Sequence, residues 1–170
     1  MVILIAGSTH TGKTLFAQKI LERYRYPYLS IDHLKMGLIR SGNTSLTVYD
    51  DEKLTEYLWP IVREIVKTAI ENGQNLTVEG CYIPFDWRKD FSEEYLKNVD
   101  YRCLVMTEGY IRAHFSEILA HENDIERRPK DCCCTEEALL EENAGNLAEC
   151  RKHGLKYVLI ENEYRVEADF

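Results

Sequence analysis

VILIAGSTHTGKTLF, residues 2–16, is the stretch whose reading decides the fold. VILIAG (2–7) is a short, largely β-branched apolar run, the pattern of a strand covered on both faces. It runs into Gly7-Ser8-Thr9-His10-Thr11-Gly12-Lys13-Thr14, which matches G-x-x-x-x-G-K-[ST], the pattern of a phosphate-binding loop. Glycines let the backbone curl until successive N–H groups face inward as an anion nest. A helix opening at Lys13 would aim its positive dipole end at the same point. Lys13 would reach the outer phosphates and Thr14 would offer its hydroxyl to Mg²⁺. His10 occupies a position the pattern leaves free and reads as a spacer. The alternative is a plain strand-to-helix turn with a solvated Lys and Thr, which the strand before the loop and the helical spacing after it argue against.

Outward from this loop, strands and helices alternate, which predicts an α/β fold with a mainly parallel sheet. Phe16, Ala17, Ile20, Leu21 and Tyr24 recur at helical spacing. Residues 26–32 read as a second strand ending on Asp32, and 33–42 as a short helix closed by Gly42. A long helix is expected over about 52–72, with Pro60 kinking it or starting a new one. Strands follow at 76–79, 101–106 and 157–160. Helices are expected at 92–99, at about 109–121 and from 135 to about 153. Residues 122–134 read as a polar loop containing Pro129.

The bulk numbers set bounds. A chain of 170 residues suits one domain. Its net charge of −8, spread along the chain, argues against nucleic acid or an anionic membrane as the main partner. VILIAG is too short for a signal-peptide core, no run is long enough to span a membrane, and a cytoplasmic location is expected. The six cysteines should then be reduced. Cys132-Cys133-Cys134 are too close together to wrap zinc alone, and His121, Cys150 or His153 would be needed to complete a site.

Asp32 and Glu79 are the carboxylates of interest. Both fall at predicted carboxyl ends of strands, the edge of a parallel sheet where ligands bind. They should therefore converge on Gly7–Thr14 despite their separation in sequence. The competing readings are helix N-capping for Asp32 and a solvated strand end for Glu79. Asp50 and Asp51 read as surface charge.

At these residues the chain resembles the small P-loop kinases: nucleoside monophosphate kinases, shikimate kinase, gluconate kinase, chloramphenicol phosphotransferase and zeta-toxin-like kinases. IDHLKMGLIRSG (31–42) is similar to their Asp-x-Leu-Arg segment, with Asp32, Leu34 and Lys35 in the matching places. VEGCYIP (78–84) is similar to their Asp-Gly-x-Pro-Arg step, with Glu79 and Gly80 matching, the Pro two residues late and no Arg after it. ERRPKD (126–131) is similar to the Arg-Pro pair of the shikimate-kinase lid. The resemblance implies a three-layer α/β/α fold with a five-stranded parallel sheet in the order 2-3-1-4-5. It implies a single kinase domain over 1–170, with an acceptor-binding helical region at 33–72 and a lid at 122–135.

The resemblance further implies that ATP and Mg²⁺ are used and that a phosphoryl group passes to a small-molecule acceptor. Asp32 would approach the acceptor hydroxyl, and Glu79 would hold a Mg²⁺-bound water or bind the acceptor. Arg127 and Arg128 would close over the phosphates, Arg112 would reach in from the helix before them, and Lys35 and Arg40 would contact the acceptor. Lys35 stands where the family has Arg, and a lysine lacks the bidentate fork for a phosphate. With no Arg after Pro84 either, a hydroxyl acceptor is favoured over a nucleoside monophosphate. A nucleotide switch or ATPase is the rival class. There is no Asn-Lys-x-Asp motif, and Glu79-Gly80-Cys81-Tyr82 is not the Asp-x-x-Gly of a GTPase. A third class, a toxin or regulator, would use the aromatic loop 81–87 to meet a partner.

Overall fold

The structure, a computed structural model, describes residues 1–121 and 134–168. Five strands, β1 Val2–Gly7, β2 Tyr28–Ser30, β3 Leu76–Glu79, β4 Val99–Met106 and β5 Tyr157–Ile160, form one parallel sheet in the order β2-β3-β1-β4-β5. This is the expected strand order. Among the described residues the helices are α1 Lys13–Tyr24, α2 Ile31–Arg40, α3 Asp51–Glu71, α4 Glu93–Leu96, α5 Glu108–Ala120 and α6 Glu136–Lys152, with a 3₁₀ turn at Trp87–Asp90.

The central strand shows why the sheet has helices on both sides. Every residue of β1 is buried. Val2, Leu4 and Ala6 pack with Leu58, Val62 and Val66 of α3, whereas Ile3 and Ile5 pack with Phe16 and Ile20 of α1 and Ile111 of α5. Side chains alternate between faces along a strand, so one apolar run serves two cores. Asn143 fixes α6 to the sheet. Its buried side chain accepts from Met106 N at 2.8 Å and donates to the Leu139 carbonyl at 2.8 Å.

Three boundaries differ from the sequence reading. The second strand is shorter, and α2 begins at Ile31, so Asp32 lies in the first helical turn and Ser30 is the cap. Ile31 is fully buried and packs so closely on Gly80 that a Cβ there would lie 2.8 Å from the Ile31 Cβ. Pro60 does not start a new helix: α3 is continuous over Asp51–Glu71. Pro60 is exposed, so water can reach the carbonyl that its missing N–H leaves free. The helix expected over 92–99 is a four-residue turn, because β4 already begins at Val99.

Candidate functional site

The loop between β1 and α1 has the backbone of an anion nest. His10 (φ 58°) and Gly12 (φ 77°) are left-handed, and Gly7 has φ 143°. A Cβ on Gly7 would lie 2.7 Å from the Leu104 carbonyl oxygen and 2.8 Å from Thr11 Oγ1. On Gly12 it would lie 2.0 Å from the Tyr164 hydroxyl. Both glycines are therefore required by close approach as well as by backbone angle. The Ser8 carbonyl accepts from Thr11 Oγ1 at 2.8 Å and from Lys13 Nζ at 2.6 Å, which folds the lysine back along its own loop. Burial works to lower the Lys13 pKa. Cys81, Glu79 and Asp32 outweigh it and hold the ammonium above its ordinary value.

The register of the sheet brings the carboxylates here. Glu79 pairs with Ile5 of β1 and Ser30 of β2, so β2 and β3 end level while β1 runs two residues further, to Gly7. Glu79 is 1% exposed, and Asp32 stands two residues beyond Ser30. Lys13, Asp32 and Glu79 line one cavity of about 530 Å³ together with Thr9, His10, Gly12 and Thr14. The cavity continues past the loop to Tyr110 and His114 of α5 and to Asn162 and Tyr164 after β5.

Asp32 is held from its own helix. Lys35 Nζ contacts Asp32 Oδ1 at 2.6 Å and donates to the Tyr82 hydroxyl at 2.9 Å, which in turn donates to Asp51 Oδ1 at 3.0 Å. Burial lowers the Lys35 pKa, but the bonds from Asp32 and Tyr82 raise it further, leaving the amine above its ordinary value. Burial pushes the Tyr82 phenol up to about 12. Lys35 is thus committed to Asp32 and Tyr82, and Asp51, read from sequence as surface charge, anchors the far end of this chain.

The other expected residues are dispersed. Arg40 is exposed, eight residues along α2 from Asp32, or about 12 Å at 1.5 Å per residue. Arg112 pairs with Glu108 at 2.9 Å and Glu136 at 3.0 Å on the surface between α5 and α6. Neither lines the cavity. Arg127 and Arg128 lie outside the described residues, as does most of the expected lid. Among the described residues no three of His, Cys, Asp and Glu gather into a metal site, Cys134, His121, Cys150 and His153 included; Cys132 and Cys133 lie outside the described residues. No helix among them is long and apolar enough to cross a membrane.

Three contributors to the loop were missed by sequence reading. Asn146 of α6 donates to Ser8 Oγ at 2.9 Å. One turn earlier, Glu142 stands close to Ser8 and Thr9. Burial pushes its carboxyl above the ordinary value, against the pull of Ser8, Lys13 and the Thr9 backbone. Tyr164 donates to the Gly12 carbonyl at 3.0 Å, with the Thr11 carbonyl at 3.3 Å. The only sequence signal was the i, i+4 pairing of Glu142 and Asn146 on one helix face.

No family model and no curated protein matches the chain. Solved structures share the fold. A protein of Chloroflexus aurantiacus described as a candidate kinase is 19% identical, with a TM-score of 0.58 over 98% of this chain and 91% of that one. A sugar kinase from a Janibacter species is 12% identical, with a TM-score of 0.55 over 94% and 84%. An uncharacterized protein of Eubacterium ventriosum is 13% identical, with a TM-score of 0.50 over 96% and 90%.

Proposed function

We propose that this protein is an ATP-dependent kinase that transfers the γ-phosphoryl group to a hydroxyl of a small molecule. One observation carries the reading: Lys13 of the phosphate loop, Asp32 and Glu79 line a single cavity, although they come from three separate strand ends. That two solved structures with this fold are named as kinases, one of them a sugar kinase, supports it. On this reading residues 1–170 form one kinase domain, the acceptor lies along 33–72, and 122–135 is the lid.

The donor set fits a nucleotide and its metal. The loop is curled by the left-handed residues His10 and Gly12, as an anion nest requires, and its lysine is buried beside two carboxylates. Mg²⁺ is held by few protein groups and by substrate phosphates, so Thr14 and Glu79, the latter through water, would suffice. When bound, Mg²⁺ offsets charge on the phosphate oxygens.

The chain's own residues supply position and charge. Lys13 would exchange the Ser8 carbonyl for phosphate oxygens and neutralise charge between the β and γ groups. Asp32 would orient the acceptor hydroxyl and take its proton as the new O–P bond forms and the β–γ bridge breaks. An ionised Asp beside a lysine is a weak base, so orientation is its larger contribution. Lys35 would act on Asp32 as a positioning residue rather than as a phosphate clamp. Arg127 and Arg128 are assigned to the lid by sequence alone.

The test is ADP formation from MgATP against a panel of alcohols, sugar acids, phosphoglycerates and nucleoside monophosphates. One acceptor should raise the rate well above background. Asp32→Asn should lower that rise by about 10²–10⁴-fold, the usual weight of a positioned acid or base, and Lys13→Ala should remove it. Steady ADP release, indifferent to every acceptor and to Asp32→Asn, would place the protein among ATPases or switches.

A further inference from the structure

We infer that Tyr164 is a positioning residue for the nucleotide: its hydroxyl fixes the two peptide planes that aim the N–H groups of Gly12 and Lys13 into the phosphate nest. The inference rests on the nucleotide-binding reading of the loop.

The argument starts from peptide geometry. The peptide unit is planar and trans, so its C=O and N–H point in opposite directions. The Thr11 carbonyl and the Gly12 N–H share one plane, and the Gly12 carbonyl and the Lys13 N–H share the next. Holding those carbonyls on the outside of the loop holds the two N–H groups on the inside, where phosphate oxygens bind. Gly12, in the left-handed region at φ 77°, joins the two planes. A glycine there is free to turn, and a turned plane would present a carbonyl to the phosphate.

The donors on the outside are few. The Gly12 carbonyl accepts from Phe16 N at 2.9 Å and from the Tyr164 hydroxyl at 3.0 Å. The same hydroxyl lies 3.3 Å from the Thr11 carbonyl and so spans both planes. Tyr164 is well placed to act as a stop. Its chain segment is anchored by Val166 and Ala168, both buried in the core beneath α1. Lys19 of α1 donates to the Val166 carbonyl at 3.1 Å and lies 5.7 Å from the Tyr164 ring centre. The clamp and the loop are thus tied to the same helix.

Tyr164 also lines the cavity, so a direct contact with the nucleoside must be separated from an action through the loop. Tyr164→Phe keeps the ring and removes only the hydroxyl. Calorimetry would measure binding of ADP, of inorganic pyrophosphate and of adenosine to wild type and variant. A net hydrogen bond of ordinary strength corresponds to a weakening of about 3- to 10-fold. The expected result is that ADP and pyrophosphate weaken by the same factor, adenosine is unchanged, and the melting temperature of the free protein stays close to wild type. Weakening of ADP and adenosine with pyrophosphate untouched would overturn the inference in favour of a base contact, and equal binding of all three would overturn it outright. Failure of the wild type to bind ADP or pyrophosphate would instead remove the nucleotide reading on which it rests.

Discussion

Gly12→Ala tests how tightly the loop is built. At φ 77° an alanine is in the left-handed region, a cost of about 1–2 kcal/mol. Its Cβ would lie 2.0 Å from the Tyr164 hydroxyl oxygen, 2.6 Å from Cζ and 2.9 Å from Cε2. Ordinary contact needs more than 3 Å, so the ring must move by over ~1 Å and lose its hydrogen bond, worth about 1 kcal/mol. The ring cannot swing away freely, because Val166 and Ala168 hold its segment in the core. Overpacking of this kind costs about 1–3 kcal/mol. The expected loss in urea denaturation is therefore about 3–6 kcal/mol, a large share of the 5–15 kcal/mol typical of a domain. The structural cause is isolated by adding Tyr164→Ala. With the ring gone, Gly12→Ala should cost only the backbone part, about 1–2 kcal/mol. The cycle should thus show a coupling of about 2–4 kcal/mol. Penalties that add to within about 0.5 kcal/mol in the double variant would refute the claim that the ring and the glycine share one space.

Other outcomes follow from the same geometry. Tyr82→Phe breaks the link from Lys35 to Asp51 and should raise the acceptor KM while leaving ADP affinity unchanged, read by steady-state kinetics and calorimetry. The folded-state pKa values of Tyr82 and Lys35 are raised, so the stability they add is full below their unfolded values of 10.0 and 10.5. The Tyr82 part is lost as pH rises from 10.0 toward about 12, so the stability gap between wild type and Tyr82→Phe should narrow across that window. Arg112→Ala removes only exposed ion pairs with Glu108 and Glu136, and turnover should be unchanged; a fall of tenfold would show that the side chain reaches the site. Asn146→Ala frees the Ser8 hydroxyl from α6 and should weaken ADP more than twofold with little change in melting temperature.

Much of this arrangement was legible because its signals are local. β1, β3 and β5 fall where short apolar runs end in turn residues, and the phosphate loop is a contiguous pattern. That Asp32 and Glu79 would come together beside the loop was legible because the carboxyl ends of parallel strands share an edge, and both line its cavity. The start of α2 was not legible. Ile31 is β-branched and reads as strand, and its capping residue Ser30 makes no side-chain capping bond. What places Ile31 in a helix is its contact with Gly80, far away in sequence. Arg40 and Arg112 do not line the cavity: a basic residue near a motif looks like a phosphate ligand, but a helix turns it to whichever side its position dictates.

Tyr164, Glu142 and Asn146 were out of reach for a reason that lies in the loop itself. A nest turns its N–H groups inward, so its carbonyls and side chains face outward and need partners of their own. The motif supplies some of them itself, since Thr11 and Lys13 both donate to the Ser8 carbonyl, but not those of the Ser8 hydroxyl or of the Thr11 carbonyl. The rest come from what packs outside: α6 on the Ser8 side and the segment after β5 on the Thr11–Gly12 side. Both supports lie more than 130 positions downstream of the loop, as the Asn146–Ser8 and Tyr164–Gly12 separations of 138 and 152 show. On the proposed reading the motif therefore names the groups that would face a phosphate, while its rigidity depends on residues that no short pattern contains. Phosphate affinity should accordingly respond to changes in α6 and in the C-terminal segment that leave the motif intact.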